Sequence, residues 1–254
     1  MLIVQKFGGS SLADAQRIRR AAQRAVEQAK AGNRVVVVVS AQGDTTDHLT
    51  QLAAQVSEAP PARELDALLS VGEQVSAALM AMTLQTLGQA AVSLTGWQAG
   101  VLTEGAHGDA DVRSLVNERI VKELERGRIV VVAGFQGVDA ERDVTTLGRG
   151  GSDTTAVALA ALLEADQCQI YTDVDGVYDK DPRLFPQAKR YAVIGYDAML
   201  RLTQGGAQVL HTKAVALAKE RGVRIQVLSS FRPGPGTMVT ENPIHKEYIP
   251  FDGE

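Results

Sequence analysis

The chain lacks the residues and segments that mark several large classes of protein. It has one cysteine among 254 residues, Cys168, so it cannot form an internal disulfide and does not resemble a secreted disulfide scaffold. Its formal net charge of −4 leaves no basic field for nucleic acid or an anionic membrane. The first residues have no signal-peptide anatomy, and we expect no apolar run long enough to span a bilayer. A cytoplasmic location is the default expectation.

Familiar catalytic and metal-binding signatures are also missing. The four histidines, His48, His107, His211 and His245, are scattered, and no Cys/His cluster has metal-ligand spacing. No Gly-x-Ser-x-Gly nucleophile elbow is present, and His211 is more simply explained as structural than as catalytic. We therefore expect no metal site built from protein ligands.

Hydrophobic residues, by contrast, make up an ordinary 45% of the chain and fall into alternating strand and helix patterns. Predicted strands cover residues 2–7, 35–39, 91–94, 129–133, 169–172 and 225–228. Predicted helices include residues 18–29 and 49–56, a long region over 64–87 interrupted near Gly72, and the spans 112–126, 154–164, 197–203 and 207–221. The five valines at 35–39 show no alternation, which is typical of a strand buried on both faces. Strands alternating with helices predict an α/β fold, a three-layer αβα sandwich with a mostly parallel central sheet.

The loop after the first predicted strand reads Lys6-Phe7-Gly8-Gly9-Ser10-Ser11. Two glycines let the backbone approach a bulky anion, and free N–H groups beside a helix start suit phosphate. The same residues also fit a tight strand–helix turn with a surface lysine, and the loop alone does not decide between the two. It is neither a Walker A motif nor Gly-x-Gly-x-x-Gly.

Two other segments are ambiguous when they are taken alone. The polar loop over residues 40–47 offers hydroxyls to a small ligand, although helix capping by Thr46 or Asp47 is the simpler explanation. Glu73 lies in an apolar helical region, where a carboxylate is costly unless it is paired. One interpretation is that Glu73 binds a substrate ammonium. The other, which is the simpler, is that it pairs with an arginine or faces water.

The glycine-rich run at residues 147–156 is the most informative segment. Three glycines surround Arg149 just before a helix that is predicted to open after Ser152 or Asp153. Ser152 and Asp153 are good N-caps, but a cap does not require an arginine, and arginine binds carboxylates and phosphates with two hydrogen bonds.

Residues 171–183 form a second polar loop, which either covers an adenine ring and its phosphates or is an acidic surface turn.

Taken together, these segments resemble the aspartate kinases of the amino acid kinase family. The matching segments are residues 4–11, 39–47, 72–74, 95–100, 133–137, 145–156 and 171–183. They occur in the family's order and cover nearly the whole chain to about Thr237. Each is weak alone, but the set separates this chain from acetylglutamate, glutamate, uridylate and carbamate kinases. The resemblance implies the amino acid kinase, or carbamate kinase-like, fold.

The resemblance also implies a role for each matching residue. Lys6 and Asp153 would be catalytic, with Lys6 on the transferring phosphoryl group and Asp153 organising the lysine. Aspartate would be bound, with Glu73 on its amino group and Arg149 on a carboxylate, by Ser40, Thr46, Glu73, Arg149, Gly150, Gly151 and Ser152. The nucleotide would contact Lys6, Phe7, Gly8, Gly9, Ser10, Thr172, Asp173, Tyr178, Lys180, Asp181 and Arg183. ATP and Mg²⁺ are implied, with no side chain dominating the metal.

Two departures from the family pattern stand out. Gln208 occupies a position where the family often has lysine, so one cation near the nucleotide is missing. Most aspartate kinases continue after a segment like residues 235–239 into paired regulatory ACT domains that bind lysine or threonine, whereas this sequence stops at Glu254. We expect a single kinase domain over residues 1–237, with a substrate lobe to about 165 and a nucleotide lobe from 166, and a surface-wrapping tail over 238–254.

The predicted reaction is ATP-dependent phosphorylation of the aspartate side-chain carboxylate, the first step towards lysine, threonine and methionine. Two alternatives stay open: a related kinase acting on another carboxylate, and a non-catalytic subunit that senses nucleotide or amino acid. The predicted partner is a second copy in a homodimer, with no nucleic acid and no membrane. For the missing regulatory part three alternatives stay open: a separate regulatory ACT-domain subunit, a naturally unregulated chain, and a fragment of a longer one.

Overall fold

The computed structural model describes residues 1–182, 184–185, 187–207 and 209–241, and the backbone of Tyr248–Ile249. The strands in these residues are β1 (Leu2–Phe7), β2 (Arg34–Val39), β3 (Ala91–Leu94), β4 (Val101–Glu104), β5 (Asp111–Leu115), β6 (Ile129–Ala133), β7 (Gln136–Val138), β8 (Val144–Thr146), β9 (Gln167–Thr172), β10 (Arg190–Tyr191), β11 (Val193–Gly195), β12 (Ile225–Ser229), β13 (Thr237–Thr240) and β14 (Tyr248–Ile249). The helices are α1 (Ala15–Lys30), α2 (Thr45–Val56), α3 (Ala62–Leu69), α4 (Val71–Thr86), α5 (Glu118–Glu125), α6 (Gly151–Leu162), α7 (Tyr196–Gln204) and α8 (Thr212–Arg221), with a short 3-10 helix at Gly9–Leu12.

The central sheet of the described part has the strand order β11-β13-β12-β9-β1-β2-β6-β3. Neighbouring strands are parallel from β12 to β3, whereas β13 is antiparallel to β12 and parallel to β11. This mostly parallel sheet confirms the predicted fold class. Because β1, β2, β6 and β9 run side by side in one direction, the loops that follow them meet at a single edge of the sheet.

Helices cover both faces of this sheet. Val36 and Val38 pack in one core cluster with residues of α5, α6 and α8. Val35, Val37 and Val39 pack in a second cluster with residues of α1 and α4. All five valines are at most 1% exposed, so the prediction of a strand buried on both faces is confirmed, and the three-layer αβα architecture with it.

A second sheet, with the order β5-β4-β7-β8, was not predicted from the sequence. The predicted helix over 112–126 is wrong in its first part, because Asp111–Leu115 pairs with β4 and α5 begins only at Glu118. Ile120 and Leu124 do share the buried face of α5, but Val116 precedes the helix and is exposed. Helical spacing of apolar residues does not detect a strand whose partner lies elsewhere in the chain.

Two other predicted helices start at different residues in the structure. The helix predicted over 207–221 begins only at Thr212, with His211 in an extended conformation before it. The helix expected after Ser152 or Asp153 begins at Gly151, so both residues lie inside its first turn rather than capping it. Gly150, which has a φ of +72° in the left-handed region, is the N-cap residue instead.

The segment Ala62–Thr86 comprises α3 and α4, which separate at Ser70 rather than near Gly72. By length and composition alone it is apolar enough to cross a membrane, so the expectation that no run is long enough is wrong. A core helix passes the same test, and 44% of the most apolar window is buried within the fold. The buried side of α4, which includes Met80 and Leu84, belongs to the core beneath the sheet.

The chain after Phe231 contributes to the sheet and does not only wrap the surface. Thr237–Thr240 forms β13, between β12 and β11, and Thr237 Oγ1 accepts a hydrogen bond of 2.9 Å from the Val177 backbone. This strand crosses the boundary that was expected at residue 237 between domain and tail. Further along, the backbone of Tyr248–Ile249 pairs antiparallel with β10.

Candidate active site

A cavity of about 930 Å³ opens at the edge of the sheet where β1, β2 and β6 end. Ten of the predicted site residues line it: Lys6, Gly9, Ser40, Thr46, Glu73, Arg149, Gly150, Gly151, Ser152 and Asp153. They come from the end of β1 and the 3-10 helix after it, the residue after β2, and the first turns of α2, α4 and α6, with the glycine-rich turn before α6. The whole predicted substrate set is thus brought together around one space.

Lys6 and Asp153 form an ion pair at the base of this cavity. Lys6 Nζ lies 2.6 Å from Asp153 Oδ1, and the two side chains are 12% and 10% exposed. Lys6 shares a face of β1 with Val4, which packs towards α6, so side-chain alternation along the strand directs its ammonium to the helix start. A carboxylate in the first turn of a helix is favoured by the helix dipole.

The backbone of the first loop passes very close to the loop after β2. A Cβ at Gly9 would lie 2.7 Å from the Ala41 carbonyl oxygen, so no other residue fits there without moving the chain. At Gly8 a Cβ would be 3.5 Å from Lys6 Nζ, which places the glycine backbone beside the ammonium. The Phe7 ring is buried in the core, stacked on Tyr171 with centroids 4.6 Å apart, so only its backbone is near the edge. Phe7, Gly8 and Ser10 are absent from the lining of the cavity.

Glu73 is a nearly fully buried carboxylate, 3% exposed, at the wall of the cavity. Its Oε1 accepts a hydrogen bond of 2.9 Å from the Ala41 backbone, while Oε2 has no partner among the described residues. Burial raises the pKa of Glu73 to about 7, against the opposing effects of the Ala41 hydrogen bond and the Lys6 charge. Within the described part of the chain, Glu73 therefore neither pairs with an arginine nor faces water. Both of these interpretations of the sequence are wrong.

Arg149 is exposed at the mouth of the cavity and forms no ion pair with a described residue. It stands between Gly148 and Gly150, which both have positive φ values of +70° and +72°. Ser152 is 7% exposed, and a Cβ at Gly134 would lie 2.9 Å from its Oγ, so the end of β6 and the start of α6 are in tight contact.

Asp66 is a buried carboxylate of the cavity wall that the sequence did not reveal. It is 1% exposed and accepts hydrogen bonds from the backbone and hydroxyl of Thr146, at 3.0 and 2.6 Å, and from the Gly108 backbone at 3.0 Å. His107 Nδ1 lies 2.9 Å from the same carboxylate. Asp66 therefore joins α3 to the turn at Gly108 and to the end of β8. The available signal was its position seven residues before Glu73, on the same side of an apolar helical region.

One group of side chains could offer ligands to a metal, although sequence spacing did not indicate it. Single ligand atoms of His107, Asp139 and Asp143 lie within 4.8 Å of one another. Asp143 is already paired with Arg63 at 2.6 Å, and its pKa is lowered by that hydrogen bond. With one of its three members held in this ion pair, we assign no metal to the group.

A second cavity, of about 470 Å³, lies beside the loop that follows β9. Tyr178, Lys180 and Asp181 of the predicted nucleotide set line it, together with glycines 205 and 206. Thr172 and Asp173 are absent from this lining, and the Thr172 hydroxyl donates to Asp173 at 3.1 Å. Arg183 and Gln208, which the sequence also singled out, lie outside the described residues.

The sequence profile of the amino acid kinase family matches residues 1–229. The chain therefore belongs to the amino acid kinase family. It is 56% identical over 239 residues to the aspartokinase of Mycolicibacterium smegmatis, covering 94% of this chain and 57% of that protein. This confirms the resemblance to aspartate kinases, and the chain spans less than two thirds of the length of this curated relative.

Solved structures give the same relationship. The aspartate kinase of Synechocystis superposes with a TM-score of 0.85 at 48% identity, covering 98% of this chain and 41% of that one. Aspartokinase III of E. coli, in complex with aspartate and ADP, superposes with a TM-score of 0.85 at 27% identity, covering 95% and 65% of the two chains.

Proposed function

We propose that this chain phosphorylates the side-chain carboxylate of L-aspartate with ATP, giving 4-phospho-L-aspartate and ADP. The observation that carries the proposal is the presence of Lys6, Glu73 and Arg149 around one cavity. They supply a cation for a phosphoryl group, an anion for an ammonium and a guanidinium for a carboxylate. The likeness to an aspartokinase solved with aspartate and ADP supports the same assignment.

For aspartate, the main task of the protein would be to position the side-chain carboxylate for attack. The aspartate side chain is ionised at neutral pH, so it attacks the γ-phosphorus without a general base. Arg149 would bind a carboxylate of aspartate, and Glu73 Oε2, which has no partner among described residues, would accept the substrate ammonium. Ser40, Thr46, Gly150, Gly151 and Ser152 would complete the aspartate site. Catalysis is then positioning of two anions in line and neutralisation of charge.

Neutralisation of the moving phosphoryl group would fall to Lys6 and to backbone N–H groups of the first loop. Asp153 would hold the Lys6 ammonium in place through the 2.6 Å pair. Gly8, Gly9 and the backbone of Phe7 and Ser10 would lie along the phosphates, because the glycine backbone is close to Lys6 Nζ. Preorganised charge of this kind is the largest contribution to many enzymatic rates.

The second cavity would take the nucleoside part of ATP, with Thr172, Asp173, Tyr178, Lys180, Asp181 and Arg183 as its predicted contacts. Among the described carboxylates of the first cavity, Asp153 is paired with Lys6 and Glu73 is bound to the Ala41 backbone. The resemblance implies that a Mg²⁺ ion accompanying ATP would take its oxygen ligands chiefly from phosphates and water. When bound, it supplies further positive charge to the β- and γ-phosphates.

We further propose that the chain acts as a cytoplasmic homodimer at the start of the aspartate-derived amino acid pathway. Its kinase domain would have two lobes, and the predicted end at residue 237 is moved outward, because β13 continues the sheet to Thr240. Val71, Val75, Leu79 and Met82 are 36–59% exposed and recur on one face of α4. The charged residue of this helix, Glu73, is buried, so two copies could oppose this face without charge repulsion. Activity measured with and without lysine and threonine would test for feedback regulation, and activity insensitive to both would fit a free-standing catalytic domain.

The reaction is tested by ADP release from ATP with aspartate, glutamate or acetylglutamate as acceptor. We expect turnover with aspartate and at most background release with the other two. Turnover with another acceptor alone would replace aspartate as the substrate. Nucleotide and aspartate binding without turnover would instead favour the sensing subunit.

A further inference from the structure

The side chain of His211 lies directly against the backbone of Gly150. A Cβ added at Gly150 would overlap Cβ and Cγ of His211 and lie 2.8 Å from its Cδ2. His211 Nδ1 is buried without a hydrogen-bond partner among the described residues. The contact is therefore one of packing: the imidazole covers the left-handed turn that places Arg149 at the cavity.

The first turn of α8 reaches the same glycine-rich turn from a second direction. Lys213 Nζ lies 2.6 Å from Asp109 Oδ1 and 3.2 Å from Asp111 Oδ1. A Cβ at Gly148 would in turn lie 2.7 Å from Asp109 Oδ1. Gly150 thus lies against His211, the residue that precedes α8. Gly148 lies close to Asp109, which is paired with Lys213 in the first turn of α8. The position of this helix start constrains the backbone of Arg149.

The chain immediately before α8 forms part of the wall of the second cavity. Gly205, Gly206, Ala207 and Val209 line that cavity, and only Leu210 separates Val209 from His211. A ligand that orders this wall therefore acts on the residue that packs against Gly150. The two cavities are linked by one short stretch of backbone.

We propose that His211 is a positioning residue that transmits occupancy of the second cavity to Arg149. The inference rests on the proposed function, in which the second cavity takes the nucleotide and Arg149 binds a carboxylate of aspartate. Nucleotide in the second cavity fixes the wall and His211, and His211 fixes the turn at 148–150. Aspartate then binds more tightly to the nucleotide-bound chain, and by linkage the nucleotide binds more tightly when aspartate is present.

Calorimetric titration of the whole chain with aspartate, with and without saturating ADP and Mg²⁺, measures this coupling. We expect ADP to tighten aspartate binding to the wild-type chain at least about fivefold, within the range usual for coupled sites. His211→Ala removes Cγ and Cδ2, and should reduce the factor below about twofold while the ADP affinity changes less than about twofold. His211→Leu restores carbons at these positions and should keep the wild-type factor.

Leu217→Ala is the matched control, because Leu217 packs against the core from the middle of α8, away from the helix start. It should lower stability but leave the coupling as in the wild type. The inference is overturned, while the proposed function stands, if the wild type binds both ligands without coupling, if His211→Ala keeps the coupling, or if Leu217→Ala also loses it. A wild-type chain that binds neither aspartate nor ADP would overturn both.

Discussion

Lys6 Nζ and Asp153 Oδ1 lie 2.6 Å apart, with both side chains about nine-tenths buried, and so join the end of β1 to the first turn of α6. The pair fixes an ammonium at the cavity instead of letting it extend into water. It also fixes the start of α6, whose preceding residues carry Arg149. A change at either residue is therefore expected to affect both the chemistry and the local structure.

Lys6→Ala should lower kcat by about a hundred- to a thousand-fold, as the loss of one preorganised charge-stabilising group typically does. The measurement is steady-state ADP release at saturating aspartate. Lys30→Ala is the control, because Lys30 is an exposed lysine at the end of α1 and should leave kcat unchanged. A folded Lys6→Ala chain with most of its kcat would remove Lys6 from the reaction.

Arg149→Ala should act mainly on the KM for aspartate, because Arg149 lines the cavity and is free to receive a carboxylate. Loss of a hydrogen bond to a charged group costs about 1.5–3 kcal/mol, which corresponds to roughly a 10- to 150-fold rise in KM. Arg19→Ala, at an exposed position of α1, is the control. An unchanged KM for aspartate in Arg149→Ala would contradict the assignment.

Glu73 makes stability depend on pH in a direction opposite to that of an ordinary paired carboxylate. Its pKa is about 7 in the folded chain, against an ordinary value of 4.5, so the folded state binds more protons than the unfolded state between these values. Stability should therefore fall as pH rises from 4.5 to 7. Above pH 7, Glu73→Gln should be more stable than the wild type by up to about 3 kcal/mol without ligand.

Urea unfolding of both chains at pH 5 and pH 8 measures this difference, and equal stabilities at pH 8 would show that the burial of the charge costs little. The same titration should appear in activity. The charged form of Glu73 is the one that would bind an ammonium, so kcat/KM for aspartate should fall as pH drops below about 7. Glu73→Gln should lack this acid limb and have a low kcat/KM throughout.

Gly9 should tolerate no side chain, because a Cβ would lie 2.7 Å from the Ala41 carbonyl oxygen, a backbone atom. Gly9→Ala must move the first loop against the loop after β2, and overpacking of this kind costs about 1–3 kcal/mol. We expect lower stability and a raised KM for ATP. Gly234→Ala is the control, since a Cβ there meets nothing within 4 Å. Equal effects of the two variants would show that the close approach is not what requires glycine.

The sequence predicted the layers of the fold wherever the pattern was local. The valines of β2 needed no partner to be recognised as a buried strand, and β1, β3, β6, β9 and β12 followed in the same way. The second sheet could not be found like this, because the short strands β4 and β7 have no distinctive pattern of their own. The segment 111–115 becomes a strand because it pairs with Val101–Glu104.

The site shows the same division between local and distant signals. Arg149 stood out because three glycines surround it, and Lys6 because two follow it. Asp66 did not stand out, since its partners Gly108 and Thr146 lie 42 and 80 residues away in the chain. The second oxygen of Glu73 could not be known to lack a partner until the neighbouring loops were in place. Sequence thus indicated the residues with local signatures, and the fold added those defined by their contacts.

The apolar face of α4 provides the last prediction. Val75 is 46% exposed in the middle of the stripe Val71, Val75, Leu79 and Met82, so Val75→Glu should place a charge at the centre of a two-fold interface. Light scattering should give twice the 27.0 kDa chain mass for the wild type and a single chain for Val75→Glu. Val56→Glu, at an 89% exposed position of α2, should remain dimeric. A wild-type mass of one chain would exclude the dimer, whereas a dimeric Val75→Glu would place its interface on another surface.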